Sequence, residues 1–419
     1  MLKFLLILSF YLPFQIALNP MEGIDLASIR VFILLLFFIW LAKSLKQKEL
    51  IITSSPQTYL ISSFLFLSLF SSFFAQNTDW SMRKLLFLFS VFPIYFIVSA
   101  VINSEAKRIK TIKTLVISGA LASLVGVTQF FLQFIIGIDS LQKIWATYFL
   151  SPFLGKSFSQ AVLTYPSWLV DVSGTTYFRA ISFFPDPHMF SLFLGLLLPL
   201  SLGLFFIKRK KLWLFSSGLI LLANILTFSR GAYLGLTVGI LFLFFIFQEK
   251  IGKKYKLLFA FGSLILLSTF LVPNPVSSRF FSTFNLKEGS NIGRIEIWEK
   301  TGQTILKYPL TGTGIGNFPL EINPSATYRE PIYAHNTYLD IAVETGILAS
   351  FVWIGVLFFS IASFLKKAKE NLLYLCAALS LVIFAAHSLV ETGIYSPVVL
   401  TLLLIIMALS NIRENEKIS

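Results

Sequence analysis

The sequence predicts an all-α membrane protein that crosses the bilayer many times. Of its 419 residues, 56% are apolar and only 13% are charged, whereas a soluble domain carries roughly 25% charged residues. Apolar segments of about 20 residues, long enough to span the hydrocarbon core, recur along the whole chain. Because no stretch is polar enough to form a soluble domain, we interpret residues 1–419 as a single integral membrane domain.

Hydropathy divides the chain into about twelve predicted transmembrane helices. Their approximate limits are 4–19, 28–44, 57–75, 85–103, 113–137, 187–207, 212–229, 231–247, 256–272, 341–364, 371–389 and 396–411. The segment after Met1 resembles a signal peptide. It is followed by no small-residue cleavage site, so it is predicted to remain as the first span.

Basic residues orient these spans. The large lysine and arginine clusters fall at the ends of even-numbered spans, as residues 208–211 do after the sixth. Because such clusters mark the cytoplasmic side, both termini are predicted to be cytoplasmic in a multi-pass protein of the bacterial inner membrane. Two longer segments, 138–186 and 273–340, are then periplasmic loops. Topology thus explains the net charge of +14, and we expect no nucleic-acid partner.

Metal and disulfide chemistry have little support in the sequence. The single cysteine, Cys376, allows neither an intramolecular disulfide nor a cysteine zinc site. The predicted outer segments contain no Asp-x-Asp pair, and Asp186 and His188 are weak metal-ligand candidates because Pro187 separates them. We therefore expect no metal and no cofactor.

The segment 273–340 contains the pattern of an amphipathic helix that begins near Asn291 and ends near Pro309. Ile295, Trp298 and Ile305 fall on one stripe, which we expect to rest on the helix bundle at the membrane surface. Arg294 is a neighbour of Trp298 at i,i+4. Its side chain either faces solvent and lipid headgroups or binds a ligand.

Three alternate glycines, Gly312, Gly314 and Gly316, follow this helix. Glycine permits tight turns and leaves backbone amides open as donors. The spacing is not that of a nucleotide-binding loop, and no predicted strand precedes it. A simple structural turn is the alternative interpretation.

His335, followed by Asn336, lies where the loop returns to the membrane. An imidazole titrates near neutral pH and can accept a proton from a sugar hydroxyl. Asp340 and Glu344 are i,i+4 neighbours just beyond it, and we expect them to orient or polarise the ring.

Further charged residues gather at the same outer level. Arg230 occupies a connection with almost no loop, where a buried arginine is costly without an anionic partner. Arg179 precedes the sixth span, and His387 and Glu391 are i,i+4 neighbours near the end of the eleventh. Arginines at a membrane surface suit a polyprenyl pyrophosphate, because guanidinium binds phosphate bidentately and stays charged.

Taken together, these motifs resemble the superfamily of O-antigen ligases and polysaccharide polymerases. The resemblance covers roughly residues 175–410. The residues that carry it are Ser229-Arg230-Gly231, Arg294, Pro309-Leu310, Gly312, Gly314, Gly316, His335-Asn336 and Gly346. The pattern differs at Ala349, where the ligases usually have Gly, Thr or Tyr.

The resemblance implies a C-type membrane glycosyltransferase that inverts the anomeric carbon without a metal. Arg230 and Arg294 would engage the undecaprenyl pyrophosphate of a lipid-linked glycan donor, with Arg179 assisting. His335 would activate the acceptor hydroxyl. In a ligase the acceptor is lipid A core, and in a polymerase it is another lipid-linked glycan; the sequence leaves both open.

Two further classes of membrane protein handle lipid-linked sugars. A flippase or transporter of lipid-linked sugars should carry charges at mid-span, whereas the informative charges here lie at the outer ends of the spans. A protein oligosaccharyltransferase uses the same donor and a protein acceptor, and no residue pattern decides for or against it.

Overall fold

The computed structural model describes residues 1–21, 24–155, 159, 166–247, 274–282, 289–328 and 332–411. Over these residues the chain is mostly helical. The helices of the first half are α1 (Leu2–Tyr11), α2 (Ser28–Gln47), α3 (Pro56–Ser71), α4 (Thr78–Val91), α5 (Pro93–Val101), α6 (Glu105–Ile136), α7 (Ile138–Ile144) and α8 (Ser151–Leu154). Those of the second half are α9 (Pro187–Lys208), α10 (Lys211–Leu226), α11 (Arg230–Phe247), α12 (Pro275–Phe281), α13 (Gly289–Lys307), α14 (Phe318–Ile322), α15 (Thr337–Thr345), α16 (Ile347–Lys367), α17 (Leu372–His387) and α18 (Pro397–Leu409).

The prediction of a membrane protein with many spans is confirmed. Six helices are long and apolar enough to cross a bilayer: α2, α3 with its following turn, α4 with α5, α6, α9 and α16. Five shorter apolar helices, α1, α10, α11, α17 and α18, coincide with further predicted spans. The predicted span 256–272 lies outside the described residues. The total of twelve spans and their orientation remain predictions.

Helix α9 is the centre of the bundle and packs against α6, α10 and α17. It begins sharply because Asp186 accepts hydrogen bonds from the backbone amides of His188 and Met189, and Pro187 occupies the first helical position. Most of its residues are buried. The start of α9 is therefore a fixed point at the end of the bundle that is predicted to face outward.

Helix α11 approaches α17 closely through small residues. A Cβ on Gly231 would lie 2.4 Å from the His387 ring, and one on Gly235 would lie 2.8 Å from the carbonyl oxygen of Ile383. Such contacts let two helix backbones meet without intervening side chains. They hold Arg230, the first residue of α11, beside the C-terminal end of α17.

The predicted loop 138–186 is partly structured. It contains α7, a π-helical turn at Trp145–Leu150, α8 and the antiparallel hairpin of β3 (Leu169–Val172) and β4 (Thr175–Phe178). Trp145, Trp168 and Phe178 belong to a small core beneath it. A second hairpin pairs β1 (Ala17–Met21) with β2 (Ile24–Ala27). The all-α prediction is thus right for the spans but missed these two hairpins.

Candidate functional site

Ionisable side chains from the starts of α11 and α15, from α13 and from the segment after α17 lie close together and form one cluster. His335 is exposed, whereas Arg230, Arg294 and Glu391 of this cluster are buried or half-buried. His335 lies just before α15, where Asn336 caps the helix by accepting hydrogen bonds from two backbone amides. Its φ of 48° is in the left-handed region, which non-glycine residues seldom adopt. The Nδ1 atom lies 3.1 Å from Oε1 of Glu391, and the side chain is 48% exposed. The imidazole is therefore held by one nitrogen while much of the side chain remains open.

Glu391 is the carboxylate on which the cluster converges. Its Oε2 lies 3.3 Å from Nδ1 of His188 and 3.5 Å from Nη2 of Arg294. Burial by itself raises the pKa of this carboxyl, but His188, His335 and Arg294 outweigh burial and hold the pKa well below its usual range. Glu391 is therefore an anion at neutral pH. Its Oε1 is hydrogen-bonded to His335, whereas its buried Oε2 has no hydrogen-bond partner among the described residues and makes the two longer contacts with His188 and Arg294.

The same contact changes the basicity of His335. Burial lowers the pKa of the imidazole, but the hydrogen bond and the charge of Glu391 more than compensate, so the pKa is raised above 6.5. With Nδ1 facing the carboxylate, Nδ1 carries the proton and Nε2 is the basic nitrogen. This arrangement of carboxylate and imidazole is able to take a proton from a hydroxyl group that approaches Nε2.

Asp340 holds together the two segments that carry this pair. Its Oδ1 accepts a hydrogen bond from the backbone amide of Ala334 at 2.8 Å, and Oδ2 accepts one from the hydroxyl of Thr392. Ala334 directly precedes His335, and Thr392 directly follows Glu391. Burial raises the pKa of Asp340 to about 7. Asp340 thus positions the backbone on either side of the pair, and its charge contributes to raising the pKa of His335.

Glu344 does not contact His335, contrary to expectation. It forms a buried ion pair with Lys84 of α4 at 2.6 Å and accepts a hydrogen bond from the hydroxyl of Tyr395 at 3.1 Å. The ammonium group of Lys84 also lies 3.5 Å from the centre of the Tyr395 ring. This network ties α15 to α4 across the bundle. Lys84 was not among the site residues predicted from the sequence.

Buried Arg179 and half-buried Arg279 form one cationic side of the cluster. Arg179 donates from Nε to the carbonyl of Thr227 at 2.6 Å and from Nη1 to that of Ser167 at 2.8 Å. Among the described residues its Nη2 atom has no hydrogen-bond partner. Burial and the charge of Arg279 lower the pKa of Arg179 to about 9. Arg279, on α12, was missed by the sequence analysis, and the two like charges favour an anionic ligand.

Arg230 is buried at the first position of α11. The connection from α10 is only three residues long, as predicted, and Phe228 within it has a φ of 48°. The guanidinium of Arg230 contacts the carbonyl of Ser282 at 3.5 Å, and the amide of Asn291 donates to the same carbonyl at 3.2 Å. Arg230 thereby links the start of α11 to the segment that contains α12 and α13.

Helix α13 places Arg294 and Trp298 on its inward side, one turn apart. The indole of Trp298 donates to the carbonyl of Ala334 at 2.6 Å, directly before His335. Thr301 is fully buried one turn further along. The amphipathic helix is confirmed. Of the predicted stripe, Trp298 and Ile305 are half-buried on the inward side, whereas Ile295 is 45% exposed and was wrongly assigned to it.

The three glycines of the following loop serve packing. Gly312, Gly314 and Gly316 all have positive φ, and Cβ atoms on the first two would overlap the backbones of Glu344 and Ala75. A Cβ atom on Gly346 would likewise lie only 2.1 Å from the carbonyl oxygen of Leu310. These positions shape the loop, which supports the interpretation as a structural turn.

The expected helical pair of His387 and Glu391 is wrong, because α17 ends at His387. The Nε2 atom of His387 is buried against Gly231 without a hydrogen-bond partner among the described residues. Asp186 is used as the cap of α9 rather than as a ligand. Within the described part of the chain, no three His, Cys, Asp or Glu side chains form a metal-binding group.

Fold and site together describe a polytopic membrane protein with a His–Glu pair, contacted by Arg294, at one end of its bundle. Residues 215–354, which include Arg230, Arg294 and His335, match the family model described as O-antigen ligase. The resemblance to the O-antigen ligase superfamily is thereby confirmed, with the match lying within this part of the chain.

One curated relative is the ComP-specific O-oligosaccharyltransferase of Acinetobacter baylyi. It is 30% identical over 188 residues, which cover 41% of this chain and 32% of the relative. The chain therefore matches about a third of the length of that relative. The name of this relative is that of an oligosaccharide-transferring enzyme, which is consistent with the family match.

Proposed function

We propose that this protein moves a glycan from undecaprenyl pyrophosphate to an acceptor hydroxyl at the periplasmic face of the bacterial inner membrane. The acceptor that we propose first is lipid A core. The observation that carries the proposal is the convergence of His335 and Arg294 on Glu391. His335 and Arg294 come from the segment that matches the O-antigen ligase family.

The acceptor hydroxyl is activated by His335. Its Nε2 takes the hydroxyl proton while Glu391 stabilises the imidazolium that forms. The acceptor oxygen then attacks the anomeric carbon from the side opposite the pyrophosphate, and the configuration inverts. The bond between the anomeric carbon and the pyrophosphate oxygen breaks, and its electron pair leaves with undecaprenyl pyrophosphate.

The arginines stabilise the departing pyrophosphate. Arg179 and Arg279 form a region of excess positive charge, and Arg230 lies beneath the outer segment that carries Arg279 and Arg294. A guanidinium has five N–H donors, so Arg294 is able to bind Glu391 and a phosphate oxygen at once. We propose that these cations replace a metal in stabilising the charge that develops on the leaving group.

A protein acceptor is the second candidate. It is favoured by the similarity to an O-oligosaccharyltransferase that is specific for ComP. The chemistry at His335 would be the same, because a serine or threonine hydroxyl replaces the sugar hydroxyl as the nucleophile.

A deletion strain tests these assignments. Surface lipopolysaccharide, undecaprenyl-linked glycans and glycoproteins are compared before and after complementation with wild type, His335→Ala or Arg294→Ala. Long glycan stranded on undecaprenyl with bare lipid A core identifies the ligase. A single repeat unit on the core identifies a polymerase, and loss of a glycoprotein identifies a protein acceptor. Unchanged glycans in all three fractions would refute the proposal.

A further inference from the structure

The end of α13 and the residues after it carry an apolar edge that faces away from the bundle. Leu306 is 82% exposed and Leu310 is 78% exposed, the highest values among the large apolar residues of the outer segment. A single exposed leucine is ordinary on a protein surface. Two of them close together form a surface that needs an explanation.

This edge is continuous with a lipid-facing surface. The amide of Ile347, the first residue of α16, donates to the carbonyl of Pro309 at 2.9 Å, so Leu310 is fixed beside the start of that span. The next outward residues of α16, Leu348 and Phe351, are 56% and 65% exposed. On a helix apolar and long enough to cross the bilayer, such residues face lipid.

The length of α16 defines the depth in the bilayer at which Ile347 and Leu310 lie. Its 21 residues extend about 31 Å at roughly 1.5 Å per residue, which matches a hydrocarbon core about 30 Å thick. Lys366 and Lys367 lie at its other end, at the polar boundary. Ile347 therefore lies at the opposite boundary, and Leu310 lies at the same level.

We propose that Leu306 and Leu310 insert among phospholipid acyl chains at this boundary, so that α13 is docked on the membrane. The neighbouring Lys307 and Tyr308 suit the headgroup layer, where lysine and tyrosine are common. The opposite face of the same helix carries Arg294 and Trp298 against the candidate site. Docking thus holds the site at the level where the phosphates of a lipid-linked substrate lie, an extension that rests on the proposed function.

Single-cysteine labelling tests the docking without any activity assay. Leu306→Cys and Leu310→Cys are made in a Cys376→Ala background, labelled with an environment-sensitive fluorophore and placed in vesicles that contain doxyl-labelled phosphatidylcholine. Because an interfacial helix buries its apolar side by roughly 5–10 Å, both labels should lose at least about half of their emission to a doxyl group near the headgroup. A doxyl group deep in the bilayer should quench them less.

Two matched positions calibrate the measurement. Lys300→Cys, on an exposed polar side of α13, should be unquenched, and Phe358→Cys, 63% exposed near the middle of α16, should be quenched best by the deep doxyl group. Labels at positions 306 and 310 that behave like the Lys300→Cys label would overturn the docking. Stronger quenching by the deep group would overturn the assigned level. Neither result would alter the proposed transfer reaction.

Discussion

Replacement of Glu391 by glutamine is the most informative change at the site. The amide keeps the size of the side chain but removes the charge that raises the pKa of His335. A general base acts only in its neutral form, so transfer should rise with pH as the pH passes the pKa of His335. Without Glu391 that pKa falls, and the rising limb of the pH profile should move to lower pH.

The maximal rate should fall at the same time. The carboxylate stabilises the imidazolium that forms during transfer and holds the ring at Nδ1, at 3.1 Å. General-base assistance is worth about 10²-fold to 10⁴-fold; because the glutamine oxygen still accepts a hydrogen bond from the ring, we expect a loss near the lower end. The variant should therefore be slower at its plateau but reach that plateau at lower pH.

The assay is transfer from a labelled lipid-linked glycan by protein in vesicles, measured across neutral pH. Glu299→Gln, on the exposed side of α13, is the matched control and should leave the profile unchanged. Asp340 titrates in the same range, with a pKa of about 7, so Asp340→Asn identifies its share of the profile. If the rising limb of the pH profile stays in place or moves to higher pH in the Glu391→Gln variant, the reasoning is refuted.

Three further changes test the supporting structure. Lys84→Met leaves Glu344 buried without its cation and should lower stability by about 3–5 kcal/mol; thermal unfolding in detergent measures this, and adding Glu344→Gln should restore much of the loss. Gly346→Ala should destabilise by at least about 2 kcal/mol because its φ is 95°, whereas Gly293→Ala, in open helix, should stabilise by about 0.5–1 kcal/mol; equal melting temperatures would contradict this. Arg279→Ala should raise KM for the donor about tenfold to a hundredfold, and an unchanged KM would remove it from the pyrophosphate site.

Hydropathy alone predicted most of the membrane architecture, because every backbone group within a bilayer must be hydrogen-bonded locally and long apolar runs become helices. It also located Arg230 correctly at a tight junction. The partner of His335 was not predictable, since Glu391 is 56 residues away and no local spacing links them. The i,i+4 assignment of His387 and Glu391 failed because α17 does not continue beyond His387. The backbone amide of Thr337 donates to the carbonyl of Ser388, and the hydroxyl of Thr337 donates to the carbonyl of Glu391. In a continued helix these carbonyls would instead accept hydrogen bonds from amides of the helix.

The orientation of α13 was the other error, and its cause is physical. Periodicity shows that a helix has an apolar side, but a membrane protein has apolar sides toward lipid as well as toward its core. Ile295 lies on an exposed side, while the buried positions of the inward side are the threonines Thr301 and Thr304, which an apolar pattern does not mark. Arg279 was missed for a different reason: it belongs to no motif, and only the packing of α12 against β3 brings it near Arg179.

The most direct test of the central claim compares wild type with His335→Gln in reconstituted transfer from an undecaprenyl-pyrophosphate glycan. Glutamine keeps a polar side chain near Glu391 but accepts no proton at neutral pH. We predict that transfer falls by at least about 10²-fold while binding of the lipid-linked donor is retained. Transfer at the wild-type rate by His335→Gln would contradict the assignment of His335 as the base that activates the acceptor.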